Sequence, residues 1–408
     1  MWATQSSASS NNKLEIPINH KSVVAPPWKE ATSLIMVKKA SLQQVVGDEL
    51  SSFMRAMRSP SKQKDGYDYR MLMVKRSSLS SFMSNAFVFP GGLVEEADFS
   101  SAWWTLFANF GVSKDSLLQE ICGIKGPRPP MIQKPLMLSG LSVPPKQCLP
   151  TDLAYRIAAI RETFEETGVL IARHDVENKE TAASLFKSDD IDLAEWRAKL
   201  QKSPHSFLEL CWELKVCPDV WSLFEWSNWL TPTSVGHKRY DTMFYICCIN
   251  THPDVILDDN EVITLKWCSP MEMLKEFYSN SLFLAPPQVY ELSRLLGLDS
   301  YKSLRNFIVE RREMGVEQWL PVICTALDGA VSVLPGDDLY PKEPDYVGQS
   351  PGPDLPHTLD QLKTQVEKLH RMEIRGPIST VVCNIPSSCG HLTPLTYSSI
   401  KTNVHSSL

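Results

Sequence analysis

Arg161-Glu162-Thr163-Phe164-Glu165-Glu166-Thr167-Gly168-Val169 puts three carboxylates close together at the end of an expected helix. Taking residues 151–168 as that helix, Thr151 or Asp152 can cap its start, and Gly168 can end it in a left-handed conformation. Leu153, Ile157, Ile160 and Phe164 recur at spacings of 4, 3 and 4, which makes one apolar stripe. At about 100° per residue, Glu162, Glu165 and Glu166 project from another side. Such carboxylates repel one another unless cations neutralise them. A hard divalent ion such as Mg²⁺, which takes oxygen ligands and retains water, fits the arrangement. In isolation the same pattern also reads as a solvated acidic face with Arg161 as a surface counter-charge. The surrounding sequence has to decide.

The chain has 408 residues, 43% hydrophobic and 22% charged, enough for one large domain with insertions or two smaller ones. A net charge of -6 and a sequence pI near 5.9 argue against nonspecific nucleic-acid binding. They leave room for a local basic pocket that takes a phosphorylated small molecule. None of the ten cysteines forms a C-x-x-C pair, and Cys247, Cys248 and Cys268 lie in apolar runs. These read as reduced, buried thiols rather than a redox or zinc site. No apolar stretch has the length of a membrane span. Met1 to Lys21 is Ser/Asn-rich, with neither the apolar core of a secretory signal nor the arginines of a mitochondrial presequence.

Residues 1–28 read as a polar leader ending at Pro26-Pro27. Strands are expected at 32–37, 69–74, 86–89, 242–249 and 262–267, with helix-compatible spacing over 40–60. Phe89-Pro90-Gly91-Gly92 carries a strand into a glycine turn. One short helix and then a Pro-heavy connector are expected across 99–150. Further helices are expected near 191–202, 204–214, 271–277 and 288–296. Beyond about Leu327, Pro, Gly and Ser accumulate around one amphipathic patch at 359–370.

The Arg161–Val169 segment resembles the second half of the Nudix box, G-x5-E-x7-R-E-U-x-E-E-x-G-U, where U is bulky and apolar. Arg161, Glu162, Glu165, Glu166, Gly168 and Val169 match, while Thr163 stands at a position usually apolar. Gly92 supplies the leading glycine, and Asp98 follows it after five intervening residues, where the pattern has Glu. Aspartate keeps the charge but shortens the reach, which weakens it as a direct ligand. Between the halves, Phe99 to Ile160 makes 62 residues where the linear box has seven, an insertion of 55. A loop that long adds only a slowly growing entropic cost. A split box of this kind resembles that of the peroxisomal coenzyme A diphosphatases within the Nudix hydrolases. Ser81–Gly92, Glu225–Pro232, Arg239–Thr242, Leu284–Leu292 and Leu334–Pro341 are similar to that group too, so the likeness covers roughly residues 28–345.

The resemblance implies an α/β fold of the Nudix type, a mixed β-sheet sandwiched between helices, with helical insertions and an irregular C-terminal extension. The Nudix domain would span 29–300, with insertions at about 40–68 and 99–150, and the extension 301–408 with a partly disordered tail. It implies a pyrophosphohydrolase that uses Mg²⁺ or Mn²⁺, held by Glu165 and Glu166, with the Gly92 carbonyl completing the site. Glu162 is then a further ligand or the base that deprotonates the attacking water, and Arg161 holds a box glutamate by a charge-assisted bond. Glu261 is a late metal ligand or base, or else part of a solvated acidic loop. The implied substrate is coenzyme A or acyl-coenzyme A. Lys75, Arg76, Lys238 and Arg239 are candidates for its 3′-phosphate, and Phe82 and Met83 for an acyl channel or for core packing. Another nucleoside diphosphate derivative such as NADH or an ADP-sugar, or an inactive binding module, stays open. The terminal Ser406-Ser407-Leu408 resembles the Ser-Lys-Leu address, with Ser407 in the basic position. A peroxisomal location, through its import receptor, is therefore expected ahead of cytosol or mitochondrion.

Overall fold

The computed structural model describes residues 28–40, 65–78, 80, 83–133, 148–177, 181–187, 193–235, 238–253, 262–348 and 352–396. The polar leader, the helix expected over 40–60, Phe82, Glu261 and the terminal tripeptide lie outside these residues.

The main sheet uses β1 (Lys29–Lys39), β2 (Tyr69–Arg76) and β3 (Ala86–Val88). A small ribbon of β4 (Ala172–Arg173) and β5 (Cys217–Pro218) stands apart. The main sheet continues with β6 (Phe224–Leu230), β7 (Tyr240–Ile249), β8 (Val262–Cys268), β9 (Phe283–Leu284) and β10 (Gln318–Trp319). Its order is β10-β6-β7-β1-β2-β3-β9, with β8 also paired to β2. β1 and β7 run parallel from Lys29↔Tyr240 to Lys38↔Ile249, whereas β6 pairs β7 and β2 pairs β1 antiparallel. Residues 31–38 of β1 are all buried, as expected of a strand covered on both faces.

Alternation along the strands sends Leu34, Met36, Tyr245 and Cys247 to one face, and Ile35, Val37, Ile246 and Cys248 to the other. The first face carries α1 (Ala102–Asn109), α2 (Lys114–Cys122), α3 (Pro130–Gln133) and α4 (Thr151–Thr167), together with α5 (Leu193–Leu200) and α6 (Ser206–Leu214). α7 (Pro270–Tyr278), α8 (Pro286–Leu295) and α9 (Tyr301–Glu310) cover the second. The sheet is thus sandwiched between helices, and among the described residues no helix is long and apolar enough to cross a membrane.

Two sequence expectations are corrected here. The 99–133 stretch forms three helices rather than one, and Trp103, Leu106, Phe107, Leu117 and Ile121 bury in the core around α4. The C-terminal extension is not irregular. β11 (Val322–Ala326), β12 (Gly329–Val333), β13 (His370–Arg375) and β14 (Ile378–Cys383) form an antiparallel sheet, with α10 (Leu359–Thr364) against one face. Tight hairpins join the strands, at Leu327-Asp328, directly before Gly329, between β11 and β12 and at Gly376-Pro377 between β13 and β14.

A buried polar cluster ties the two sheets together. Trp226 and Trp229 on β6 donate their indole N–H groups to Glu291 of α8, each at 2.7 Å. Arg294 faces that carboxylate and stacks over Tyr290 and Trp319. Tyr290 in turn bonds His370 of β13 at 2.7 Å.

Candidate active site

α4 carries the expected stripe, with Leu153, Ile157, Ile160 and Phe164 fully buried. Gly168 ends it at φ +73°, its N–H returning to the Phe164 carbonyl. Its start differs from expectation. Pro150 precedes the first turn and neither Thr151 nor Asp152 caps it, because the Asp152 carboxylate is drawn to Arg128, which also pairs with Glu225. Thr163, the position out of pattern, is satisfied by bonding back to the Ala159 carbonyl at 2.7 Å. Nearly the whole helix is buried, and only Glu162 and Glu165 keep a small exposure, 14% and 15% of their side chains.

Both open residues face a cleft of about 500 Å³, together with Gly91, Gly92 and Arg161. The glycine turn is strapped to β1, since Leu34 and Thr32 donate to the carbonyls of Pro90 and Gly92 at 2.8 and 2.9 Å. Gly91 has φ +154° and lies so near the Thr32 carbonyl that a Cβ would overlap it at 2.1 Å. A Cβ on Gly92 would strike the Glu162 carboxylate at 2.2 Å. The Gly91 N–H donates to Glu166 Oε2 at 2.9 Å, so Glu166 braces the turn.

Arg161 organises the rest. Its Nε and Nη2 donate to the two oxygens of Asp98 at 2.9 Å each, and Nη2 also reaches the Leu93 carbonyl at 2.8 Å. Nη1 donates to Glu162 Oε1 at 2.8 Å and Glu165 Oε1 at 2.9 Å. All five guanidinium N–H groups thereby have acceptors. Burial pushes the Glu162 carboxyl up to about 8, and neighbouring Glu165 adds to the shift while Arg161 opposes it.

Of the residues expected to bind substrate, Arg76 lines the cleft and also bonds Ser80 Oγ at 2.8 Å. Lys75 and Lys238 are not among the cleft-lining residues, and Lys238 is exposed. Arg239 needs correcting as a phosphate ligand. It is buried, donates to the carbonyls of Thr231 and Tyr346, and stacks on Trp28. Met83 lines the cleft at φ +52°. Asp98 serves as the anchor of Arg161, a role that its charge and its place before the insertion could have signalled. The contribution of Ile323, Met372 and Ile374 to the cleft had no local signal, while Gln288 fell within the similar block Leu284–Leu292 without being singled out.

The family model of the NUDT19 Nudix domain matches residues 28–295, and that of the NUDT19 C-terminal domain matches residues 323–384. The chain belongs to the NUDT19 family of Nudix hydrolases. It is 38% identical to the acyl-coenzyme A diphosphatase NUDT19 of Xenopus laevis, over 92% of this chain and 98% of that one. It is also 38% identical to the Gallus gallus protein of the same name, over 93% and 98%. A crystal structure of a Nudix hydrolase from Alicyclobacillus acidocaldarius overlaps at a TM-score of 0.44 with 19% identity, covering 68% of this chain and 96% of that one.

Nudix hydrolases generally need a divalent metal, and the donor chemistry fits one. Glu162 and Glu165 bring only oxygen donors and are gathered on a single Arg161 nitrogen. Among the described residues no three His, Cys, Asp or Glu side chains close on one point. An ion held here would complete its shell with water and substrate phosphate, which Mg²⁺ ordinarily does.

The largely buried Glu162 also sets a pH dependence. Its folded-state pKa of about 8 exceeds the ordinary 4.5, so between those values the metal-free native state retains a proton that the unfolded chain has released. Metal-free stability therefore falls as pH rises through that window. Thermal melts in chelator should give Glu162→Gln a flatter decline than the parent from about pH 5 to pH 8; identical slopes would mean that burial does not hold this proton.

Proposed function

We propose that this chain hydrolyses the diphosphate of coenzyme A or acyl-coenzyme A, giving adenosine 3′,5′-bisphosphate and (acyl-)4′-phosphopantetheine. The observation that carries the reading is a helix buried everywhere except at Glu162 and Glu165, which open onto a cleft large enough for a cofactor-sized substrate. The names of relatives that share nearly the whole chain, the C-terminal domain included, supply the substrate class.

Water adds across the P–O–P anhydride, and its proton must leave as the bond to phosphorus forms. Glu162 either accepts that proton or serves as a further ligand. Glu165, which opens onto the cleft, and Glu166, buried with one oxygen on the Gly91 N–H, would hold Mg²⁺ or Mn²⁺, and the Gly92 carbonyl would complete the site. Such an ion, when bound, neutralises the phosphate oxygens and lowers the pKa of attacking water. Arg161 keeps Glu162 and Glu165 in register with the glycine turn. Arg76 is assigned to a substrate phosphate.

The test is product analysis with Mg²⁺ and a panel of coenzyme A, NADH and ADP-ribose. Adenosine 3′,5′-bisphosphate should be released from coenzyme A, and Glu166→Gln should lower kcat by about a hundredfold or more. Preferential cleavage of NADH or ADP-ribose would overturn the substrate assignment.

We also propose that Ser406–Leu408 directs the protein to peroxisomes through their import receptor. A fluorescent fusion at the N-terminus should move from puncta to cytosol when these residues are deleted; unchanged puncta would refute it.

A further inference from the structure

We propose that the C-terminal sheet is the far wall of the substrate cleft, where Ile323, Met372 and Ile374 receive the acyl end and Gln288 pairs with an amide of the pantetheine arm. This rests on the coenzyme A reading above and extends it to a specificity-determining subsite.

The sheet presents different side chains on its two faces because they alternate along each strand. Cys324, Val331 and Val333 point one way and pack with Leu359 and Leu362 of α10. Ile323 pairs with Ser332, and Ser332 with Met372, so these residues share the opposite face with Ile374 two positions on. That second face lines the same cleft that Glu162 and Glu165 open onto. The cleft passes across the main sheet through the register Ala31↔Thr242↔Trp229 on β1, β7 and β6. With neighbouring strands about 4.8 Å apart, β1 to β6 alone spans roughly 10 Å. Only an elongated ligand touches both ends.

The two ends differ in chemistry. Among the described lining residues the charges are Arg76, Glu95, Arg161, Glu162 and Glu165, and β6, β7 and the C-terminal sheet contribute none. A diphosphate belongs at the first end and an aliphatic chain at the second. The same cleft is lined by Gln288 in the first turn of α8, only 7% exposed, with its side-chain oxygen lacking any partner. Leaving a buried amide oxygen unpaired is costly, and a ligand N–H would satisfy it. The pantetheine arm carries amides between its phosphate and its sulfur, whereas NADH and ADP-ribose have no such arm. The wall is also firmly seated. Trp319 packs edge-on to Trp229 at 5.3 Å, and Tyr290, two residues from Gln288, bonds His370.

The experiment compares kcat/KM for free coenzyme A and for acyl-coenzyme A esters of increasing chain length. Ile374→Trp, which fills the far end, should lower long-chain activity by about tenfold or more while free coenzyme A stays within about twofold. Ile374→Ala, which enlarges it, should shift preference toward longer chains and serves if the tryptophan variant fails to fold. Gln288→Leu should raise KM for free and acylated coenzyme A alike by about tenfold, with kcat retained. Equal losses on all esters, or unchanged preference in both Ile374 variants, would overturn the proposal and leave the coenzyme A reading standing. Were the parent to cleave no coenzyme A, that reading alone would fall. Calorimetric binding of a long-chain ester to parent and Ile374→Trp would then decide the wall without turnover, with equal affinities refuting it.

Discussion

Arg161 and Asp98 form a buried ion pair on which the geometry of the site depends. Both side chains are almost wholly removed from water, and such burial is tolerable only when the charges are matched and every donor is used. Here that condition is met, since the remaining Arg161 N–H groups go to Glu162, Glu165 and the Leu93 carbonyl. Asp98 stands just before the long insertion and Arg161 just after it, so this one bidentate bond closes the loop that holds α1, α2 and α3. Those helices can then pack on α4 without moving the glycine turn away from the carboxylates.

Much of this was legible in sequence because it is local. The 4-3-4 apolar spacing of α4, its stop at Gly168, and the strands at β1, β2, β3, β7 and β8 depend on near neighbours. The bond from Arg161 to a box glutamate was implied by the likeness to the Nudix box. What stayed hidden depends on distant partners. Asp152 looked like a helix cap because nothing nearby revealed that Arg128 would take its carboxylate. Arg239 looked like a phosphate ligand, but Tyr346, more than a hundred residues on, takes one of its donors. The C-terminal strands are short, and their Gly and Pro turns resembled disorder more than hairpins.

The second sheet changes how the cleft is understood. A single Nudix layer would expose Trp229 and the start of α8. The Glu291 cluster with two indoles and Arg294 instead fastens that edge to β13 and β10, at the cost of burying charge. One continuous cavity therefore runs from a charged end, where phosphate chemistry belongs, to an apolar end built by residues more than a hundred positions beyond the box. Substrate cleavage and substrate choice are thus separated in space and in sequence.

The most direct measurement of the central claim is a double-mutant cycle on Asp98 and Arg161, read as kcat/KM for coenzyme A with excess Mg²⁺. If the pair acts as one clamp, Asp98→Ala and Arg161→Ala should each cost about a hundredfold, and the double variant should be no worse than the poorer single one. Losses that simply multiply would contradict the account, because the two residues would then be acting independently across the insertion.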